Sequence, residues 1–427
     1  MQKNNKTKVA VIGLGYVGLP TAVELAKVGY KVLGIDIQKK RTDKVNKGES
    51  YISDVPSDEL KKVVSSNNLK AFDNHQPLKT ADIVLICVPT PLHKNKNPDI
   101  SYIRSTAEEI SKYLHPGQLI VLESSTYPGT TREIILPILE KSGLKVGKDF
   151  FLAFSPERID PGNKKYKFKD IARVTGGITK KCTDLATRFY RSFIGAPVTP
   201  LSSPEAAEMT KILENTFRLV NISMINELAL LCGKMNIDIW EVIEAAKTKP
   251  YGFMPFYPSP KIGGHCIPLD PFYLSWKAKE YNFWPRFIEL AGEINEQMPH
   301  YVVTKVISSL NSKNKSLKGS KILVWGVAYK KDIGDARESG AEDIISDLLR
   351  KGAKVNYFDP FVKEYKISGK ALKSVKYSPE VLKNYDLVLM LTDHSGFDYE
   401  KMARKSKLVV DTRNVIKSRN HKNVSWL

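Results

Sequence analysis

The cysteine at position 266 is the residue whose neighbours point most directly to chemistry. Two glycines, Gly263 and Gly264, precede it and two prolines, Pro268 and Pro271, follow it, which predicts a stiff, exposed backbone. A thiol presented in this way can act as a nucleophile when a nearby cation favours its thiolate. The alternative is a small hydrophobic side chain that packs in a core.

A glycine-rich turn follows the first apolar run and opens a helical stretch. In Gly13-Leu-Gly15-Tyr-Val-Gly18, the first glycine permits a tight turn, the second lets a pyrophosphate approach, and the third lets helix and strand pack closely. Asp36 ends the next apolar run, where a carboxylate accepts hydrogen bonds from ribose hydroxyls and repels a 2′-phosphate. The motif predicts dinucleotide binding and favours NAD over NADP, although Arg41 could accept that phosphate.

Three further turns follow apolar runs, where open parallel sheets bind their ligands. The first contains Pro89 and Thr90, and the second presents the hydroxyl of Thr126. The third places Glu157 and Arg158 between prolines. For each turn, the alternative is an ordinary capped or solvated connection.

Two groups of polar residues downstream could bind an anionic substrate. Lys211 and Asn215 are four residues apart in a helical pattern, so their side chains point the same way. Lys330, Lys331 and Arg337 lie between a predicted strand and a predicted helix, where three cations suit a diphosphate. Solvated surface lysines and a solvated basic turn are the alternatives.

The elements that must position these residues follow from hydrophobic periodicity. Apolar runs alternate with amphipathic stretches early and late in the chain, which predicts parallel sheets covered by helices on both faces. The predicted strands are 8–12, 31–35, 83–88, 119–122, 150–154, 321–326, 353–358, 387–391 and 408–410. One long helical pattern fills 205–232, and shorter ones fill 237–246 and 285–310.

The fold class is therefore α/β, with two Rossmann-like doubly wound parallel-sheet domains joined by a central all-helical domain with a long helix. The predicted boundaries are 1–203 for the NAD-binding domain, 204–310 for the helical domain and 311–427 for the last domain. The long helix has more apolar faces than one lobe can cover. It therefore predicts a homo-oligomer, with this helix as the dimer interface.

Composition narrows the possible partners. The chain has 427 residues, with 66 Lys and Arg against 46 Asp and Glu and a net charge of +20. The lysines form no basic block, so neither nucleic acid nor a membrane is expected as a partner. No apolar run reaches the roughly 18–20 residues of a membrane span, and the start does not resemble a signal peptide, so we expect a cytoplasmic protein. The cysteine spacing predicts neither a metal site nor a disulfide framework.

In this order, the motifs resemble the UDP-glucose/GDP-mannose dehydrogenase family over essentially the whole chain, from Gly13 to Arg413. Members of that family use NAD to oxidise C6 of a nucleotide sugar from alcohol to carboxylate. They do so in two hydride transfers, through a thiohemiacetal and a thioester on a cysteine. The resemblance implies that this chain is such an enzyme and that its last domain binds the UDP-sugar.

The resemblance also implies the roles of individual residues. Cys266 would be the nucleophile, Lys211, Asp270 and Asn215 would lie beside the C6 oxygen, and Glu157 and Thr126 would position water and move protons. The implied cofactor residues are Gly13, Gly15, Tyr16, Val17, Gly18, Asp36, Arg41, Pro89, Thr90, Thr126 and Arg337. The implied substrate residues are Glu157, Arg158, Lys211, Asn215, Phe256, Tyr257, Gly263 and Lys330.

The sugar is predicted from a few positions around the cysteine. His265 and Leu269 replace the Ser and Lys that UDP-glucose enzymes usually carry, which resembles the branch acting on UDP-N-acetylglucosamine. The substrate could also be UDP-N-acetylmannosamine or UDP-glucose. Two other functions stay open: a two-electron hydroxyacid dehydrogenase, and a binding protein without activity. Ser259 and Lys261 stand where related chains have glycines, so Lys261 could contact a phosphate or face water.

Overall fold

The computed structural model describes residues 7–52, 54–93, 96–159, 166–264, 266–367 and 369–427. The chain divides into two units. The first comprises Met1–Glu214 and Phe272–Trp284, and the second comprises Asn215–Pro271 and Pro285–Leu427. The predicted boundaries at 203 and 310 describe three domains, and that finer division stays a prediction.

The first unit is built on a sheet of eight strands. They are β1 (Lys8–Ile12), β2 (Lys31–Ile35), β3 (Leu69–Phe72), β4 (Ile83–Ile86), β5 (Leu119–Leu122), β6 (Phe151–Phe154), β7 (Arg173–Gly177) and β8 (Val198–Leu201). Their spatial order is β3-β2-β1-β4-β5-β6-β7-β8. The first six strands run parallel, in the doubly wound order typical of dinucleotide-binding folds. The predicted fold class is confirmed.

Strand β7 departs from the predicted parallel sheet, because it pairs with β6 in the antiparallel direction. Parallel neighbours need a crossover of a dozen or more residues, usually a helix. In the described part of the connection between β6 and β7, the only helical element is a short 3₁₀ turn, Phe168–Asp170. The chain therefore returns along the same edge, and the start of β7 lies at the carboxyl end of β6.

Both faces of this sheet are buried. On β1, Val9 and Val11 pack in one apolar cluster, whereas Ala10 and Ile12 pack in another. Successive side chains of a strand point to opposite faces, so continuous apolar runs indicate helices on both sides. These helices are α1 (Gly18–Lys27), α2 (Lys39–Asn46), α3 (Ser57–Ser65), α4 (Ser101–Tyr113), α5 (Leu136–Leu139) and α6 (Lys180–Arg191). A π-helical turn, Thr130–Ile135, precedes α5.

The second unit contains a five-stranded parallel sheet and a separate two-stranded hairpin. The sheet strands are β9 (Lys321–Trp325), β10 (Lys354–Phe358), β13 (Leu387–Met390), β14 (Val409–Asp411) and β15 (Val424–Trp426), in the order β10-β9-β13-β14-β15. The hairpin is formed by β11 (Glu364–Ile367) and β12 (Lys370–Lys373). Helices α11 (Gly340–Arg350) and α12 (Tyr399–Lys405) accompany this sheet. The prediction missed the hairpin and β15 in this unit, and β3, β7 and β8 in the first sheet.

The remaining helices include the long one that the sequence predicts. They are α7 (Pro204–Met235), α8 (Ile239–Ala246), α9 (Asp270–Ala278) and α10 (Arg286–Asn311). Seven apolar side chains of α7 are 39–61% exposed: Met209, Leu213, Phe217, Met224, Leu228, Leu231 and Met235. The expected excess of apolar surface on this helix is therefore present. In the described residues, no helix is long and apolar enough to cross a bilayer.

Candidate active site

The three glycines of the first turn have different surroundings. Gly13 adopts a φ of +91°, in the left-handed region where side chains are strained. A Cβ on Gly18 would lie 1.8 Å from the main-chain oxygen of Gly13, so this position requires a glycine for close packing. A Cβ on Gly15 would meet nothing within 4 Å. The space at Gly15 is therefore open to a ligand.

Helix α1 begins directly after this turn, and its N-terminus has no side-chain cap. Val17 occupies the capping position, where its side chain makes no capping hydrogen bond, and Tyr16 beside it is 41% exposed. Backbone amides and the helix dipole at such an end attract an anion. The open space at Gly15 and this uncapped helix end fit the diphosphate of NAD.

Asp36 follows β2 and lies against the same turn. Its Oδ2 accepts a hydrogen bond from the amide of Leu14 at 2.9 Å, and its Oδ1 accepts one from the amide of Gln38 at 2.9 Å. The guanidinium of Arg41 lies 3.2 Å from Asp36 Oδ2. Because Arg41 is paired with Asp36, its charge is already compensated, which fits a ribose with two hydroxyls better than one with a 2′-phosphate.

The turns after β4 and β5 bring further predicted residues to the carboxyl end of the same sheet. Thr90 is buried, and its carbonyl accepts a hydrogen bond from the hydroxyl of Tyr273. Pro89 precedes it in the same turn. Thr126 is also buried, with its hydroxyl 2.7 Å from that of Thr130. Both threonines are held by neighbours rather than solvated.

Glu157 follows β6, and within the described residues both oxygens of its carboxylate accept hydrogen bonds. Its Oε1 accepts from the amides of Arg158 and Ile159 at 2.6 Å, and its Oε2 accepts from the guanidinium of Arg173. The main-chain oxygen of Glu157 accepts from Lys211 Nζ at 2.7 Å. The structure thus brings two of the predicted catalytic residues together, with the ammonium of Lys211 fixed on the backbone of Glu157.

The side chain of Arg158 is engaged elsewhere. Its guanidinium donates to Glu214 at 2.5 Å and to the carbonyl of Ala172 at 2.8 Å. About a quarter of the side chain is exposed. Arg158 therefore stays a predicted substrate residue whose charge is already partnered by a carboxylate.

The second unit holds the predicted nucleophile. Cys266 is exposed, and its carbonyl accepts hydrogen bonds from the amides of Leu269 and Asp270 at 3.2 and 2.8 Å, which closes the expected tight turn. Asp270 is 3% exposed, and its Oδ2 accepts from Asn215 Nδ2 at 2.6 Å. Cys266, Asp270 and Asn215 are thus linked, directly or through the turn. His265 lies outside the described residues.

The glycines before Cys266 pack against the basic segment after β9. A Cβ on Gly263 would lie 2.7 Å from the Cβ of Tyr329, so only glycine fits this contact. Tyr329 precedes Lys330, which is half-buried. Arg337, predicted as a cofactor contact, donates to Asp335 at 2.7 Å and belongs to the second unit, whereas the other predicted cofactor residues belong to the first.

Aromatic residues before the cysteine line a cavity of about 550 Å³ in the second unit. Tyr257 stacks on Trp240 at 5.9 Å between ring centroids and donates to Glu244 at 2.7 Å. The walls of the cavity also include Arg413 and Lys417. Aromatic faces and cations in one cavity suit a nucleotide. Phe256 is not among the lining residues and packs instead against Phe217.

The two departures from the family pattern have clear structural roles. Lys261 binds Glu296 at 2.9 Å and Asp343 at 2.7 Å, so it neither stands ready for a phosphate nor faces water alone. The amide of Ser259 donates to Asn226 at 2.8 Å. Both residues fix the loop to helices of the second unit.

The sequence reasoning missed two buried charged residues near the predicted site. Arg173 stands at the start of β7, and Glu208 on α7 accepts from the amides of Gly129 and Thr131 at 2.6 and 2.9 Å. The contact between Glu208 and Gly129 spans 79 positions, so no local motif announces it. In the described residues, no cluster of side chains could hold a metal ion.

Comparison with known proteins finds matches to the segments that carry the predicted site residues. Three models of the UDP-glucose/GDP-mannose dehydrogenase family match: the NAD binding domain at 7–194, the central domain at 205–297 and the UDP binding domain at 323–418. A UDP-N-acetyl-D-glucosamine 6-dehydrogenase from Pseudomonas aeruginosa is 39% identical over 83% of both chains. A UDP-N-acetyl-D-mannosamine dehydrogenase from Pyrococcus horikoshii is 35% identical over 96% of both chains. The solved structure of a UDP-D-ManNAc dehydrogenase from that organism superposes with a TM-score of 0.89, at 32% identity over 98% of both chains.

Proposed function

The chain belongs to the UDP-glucose/GDP-mannose dehydrogenase family, and from that premise we propose that it oxidises C6 of a UDP-N-acetylhexosamine, with UDP-N-acetylglucosamine as the first candidate. Family membership makes it an NAD-dependent oxidoreductase acting on nucleotide sugars. The observation that carries the proposal is the exposed Cys266 in a tight turn that ends at Asp270. The carboxylate of Asp270 accepts a hydrogen bond from Asn215 on α7. A nucleophile must be accessible because the sugar carbon has to reach its sulfur.

Cys266 would keep the sugar attached between two oxidations. The C6 alcohol loses a hydride and a proton to become an aldehyde, and the thiolate adds to that aldehyde to form a thiohemiacetal. Loss of a second hydride gives a thioester, which water cleaves to a carboxylate and the regenerated thiol. NAD, when bound, accepts each hydride. Because the aldehyde stays on the protein, two NADH form for each sugar.

Polar residues around this chemistry would act on charge and protons. The ammonium of Lys211 would stabilise the negative oxygen that develops at C6, together with Asn215 and Asp270. Glu157 would accept a proton from the water that cleaves the thioester, with Thr126 helping to position that water. The bond from Lys211 to the main chain of Glu157 supports these assignments, because it puts the cation beside the proposed base.

The identity of the sugar is tested by turnover. We expect UDP-N-acetylglucosamine with NAD to give the corresponding uronate, detected by mass spectrometry. UDP-N-acetylmannosamine is the second candidate, since relatives of comparable similarity bear that substrate in their names. A panel of these two sugars, UDP-glucose and UDP-N-acetylgalactosamine ranks them by kcat/KM. Turnover of none of them would overturn the proposal.

The covalent step is tested with a matched pair of cysteine variants. Cys266→Ala should bind UDP-sugar but form no uronate, because no thioester can be made. Cys232→Ala is the control, since Cys232 is a half-buried cysteine that packs in an apolar cluster on α7. Uronate formed by Cys266→Ala at the wild-type rate would remove the covalent mechanism.

We also propose a homodimer through α7. The seven exposed apolar side chains of this helix support it, because such a patch is costly to leave in water. Leu228→Glu should shift the mass measured by light scattering from dimer to monomer, whereas a monomeric wild type would contradict the proposal. The predicted cytoplasmic location stays a prediction.

A further inference from the structure

A buried group of titratable side chains lies behind Glu157 in the first unit. It consists of Cys87, Glu123, Arg173 and Tyr190, which follow or belong to β4, β5, β7 and α6. Cys87 is 8% exposed, and the other three are at most 1% exposed. None of the four has a role in the proposed reaction. A fully buried arginine requires an explanation, because burying a charge is costly unless it is paired.

The guanidinium of Arg173 lies near two aromatic rings and donates to the segment around Glu157. The rings of Phe168 and Tyr190 lie 5.3 and 5.7 Å from its guanidinium carbon. One nitrogen, Nη1, donates to the carbonyl of Pro156 at 3.1 Å, and the other, Nη2, donates to the carboxylate of Glu157. The guanidinium therefore fixes the peptide before Glu157 and its side chain at once.

The same peptide segment also binds Lys211, the lysine proposed to stabilise the negative oxygen at C6. Lys211 Nζ donates to the main-chain oxygen of Glu157 at 2.7 Å. Any movement of the backbone at 156–157 would therefore move both the proposed base and the proposed oxyanion-stabilising cation. Arg173 bonds this backbone on one side, and Lys211 bonds it on the other.

A second carboxyl near Arg173 affects how its charge is shared. Glu123 accepts hydrogen bonds from the hydroxyl of Tyr190 and, at 3.4 Å, from the thiol of Cys87. Burial raises the pKa of Glu123 above its ordinary value, against the opposing charge of Arg173. Tyr190 and Cys87 thus occupy both oxygens of Glu123, whereas the guanidinium of Arg173 donates to the Pro156 carbonyl and the Glu157 carboxylate.

We propose that Arg173 is a positioning residue for thioester hydrolysis, fixing the Glu157 carboxylate and, through the 156–157 main chain, the carbonyl that anchors Lys211. This rests on the proposed function, in which Glu157 receives a proton from water. Arg173 itself touches neither sugar nor cofactor in this account.

Two substitutions separate the geometry of Arg173 from its charge. Arg173→Lys keeps the charge but loses the planar fork that reaches two acceptors, so kcat should fall about tenfold. Arg173→Met removes the charge and both hydrogen bonds to the 156–157 segment, so kcat should fall about 100-fold. KM for NAD should change little in either variant.

The control is Arg191→Lys, because Arg191 lies in the same unit and donates to the carbonyl of Val198, away from the 156–157 segment. It should leave kcat unchanged. If Arg173→Met does not fold, as judged by thermal melting, Arg173→Lys decides the matter. An unchanged kcat in Arg173→Lys would overturn the inference. So would a fall in kcat accompanied by equally large rises in KM for NAD and in KM for the UDP-sugar. A wild type that makes no uronate would overturn the proposed function instead.

Discussion

Each of the two units contains a strand followed by a turn and a helix, and in each an aspartate follows the neighbouring strand. The two aspartates differ in how many hydrogen bonds they accept from the protein. Asp36 follows β2 and accepts from two main-chain amides. Asp359 follows β10 and accepts from four: Val327, Ala328, Phe361 and Val362. His394, itself fully buried, lies 3.1 Å from Asp359 Oδ2.

The electrostatics of Asp359 match this saturation. Burial alone would raise the pKa of Asp359, but the hydrogen bonds from His394 and the main chain outweigh it and lower that pKa. The carboxylate is held in its ionised form by partners from the protein. The carboxylate of Asp359 has little capacity left for a ribose, whereas Asp36 accepts fewer main-chain hydrogen bonds and lies against the turn that has open space at Gly15.

The helix ends differ in the same way. Helix α1 begins directly after its glycine turn and has no side-chain cap, whereas α11 is capped by Ser339, which accepts from the amide of Ala341 at 3.2 Å. A capped terminus has already used part of its anion-binding capacity. The glycine turn with open space and the helix end without a side-chain cap both belong to the part of the chain that matches an NAD binding domain.

The largest effect is expected from the glycines of the first turn. Gly18→Ala places a methyl group 1.8 Å from a main-chain oxygen, so we expect lost NAD binding and about 1–3 kcal/mol of lost stability. Gly15→Ala meets nothing in the protein, so it should fold normally but raise KM for NAD about tenfold to 100-fold, because the methyl group occupies the space proposed for the diphosphate. Calorimetry measures the loss of stability, and initial rates at varied NAD concentrations measure KM for NAD. Unchanged KM in Gly15→Ala would place the cofactor elsewhere.

The paired aspartates provide the next test. Asp36→Asn should raise KM for NAD about tenfold, because a charged acceptor is lost at the proposed ribose site, and should lower the melting temperature less than Asp359→Asn does, because Asp36 accepts fewer main-chain hydrogen bonds. Asp359→Asn should instead affect stability rather than cofactor binding. It should lower the free energy of unfolding by about 1.5–3 kcal/mol through lost charged hydrogen bonds, with KM for NAD unchanged. If both variants weakened NAD alike, the contrast between the two units would be wrong.

The smallest effect is expected at the cap of α11. Ser339→Ala removes one hydrogen bond at the helix end and should cost about 1 kcal/mol of stability, read from denaturant unfolding. No change in KM for NAD is expected, because a helix end capped by a side chain has already used part of its anion-binding capacity. An increase in that KM would indicate that the second sheet contributes to cofactor binding.

Local motifs were enough to predict some of this architecture. The glycine turn with Asp36, the long helix and the tight turn at Cys266 each depend on residues close in sequence, and all three are present. The reversed direction of β7 was not predictable, because it depends on a connection without a crossover helix. The pairings of Arg158 with Glu214 and of Lys261 with Asp343 span 56 and 82 positions, so only the folded chain reveals them.

The most direct test of the account is the number of NADH molecules formed for each UDP-sugar consumed, measured by absorbance against the mass-spectrometric loss of the sugar. A cysteine that retains the half-oxidised sugar predicts a ratio of two at every stage of the reaction, with no aldehyde in solution. A ratio of one, with a released aldehyde or ketone, would contradict it.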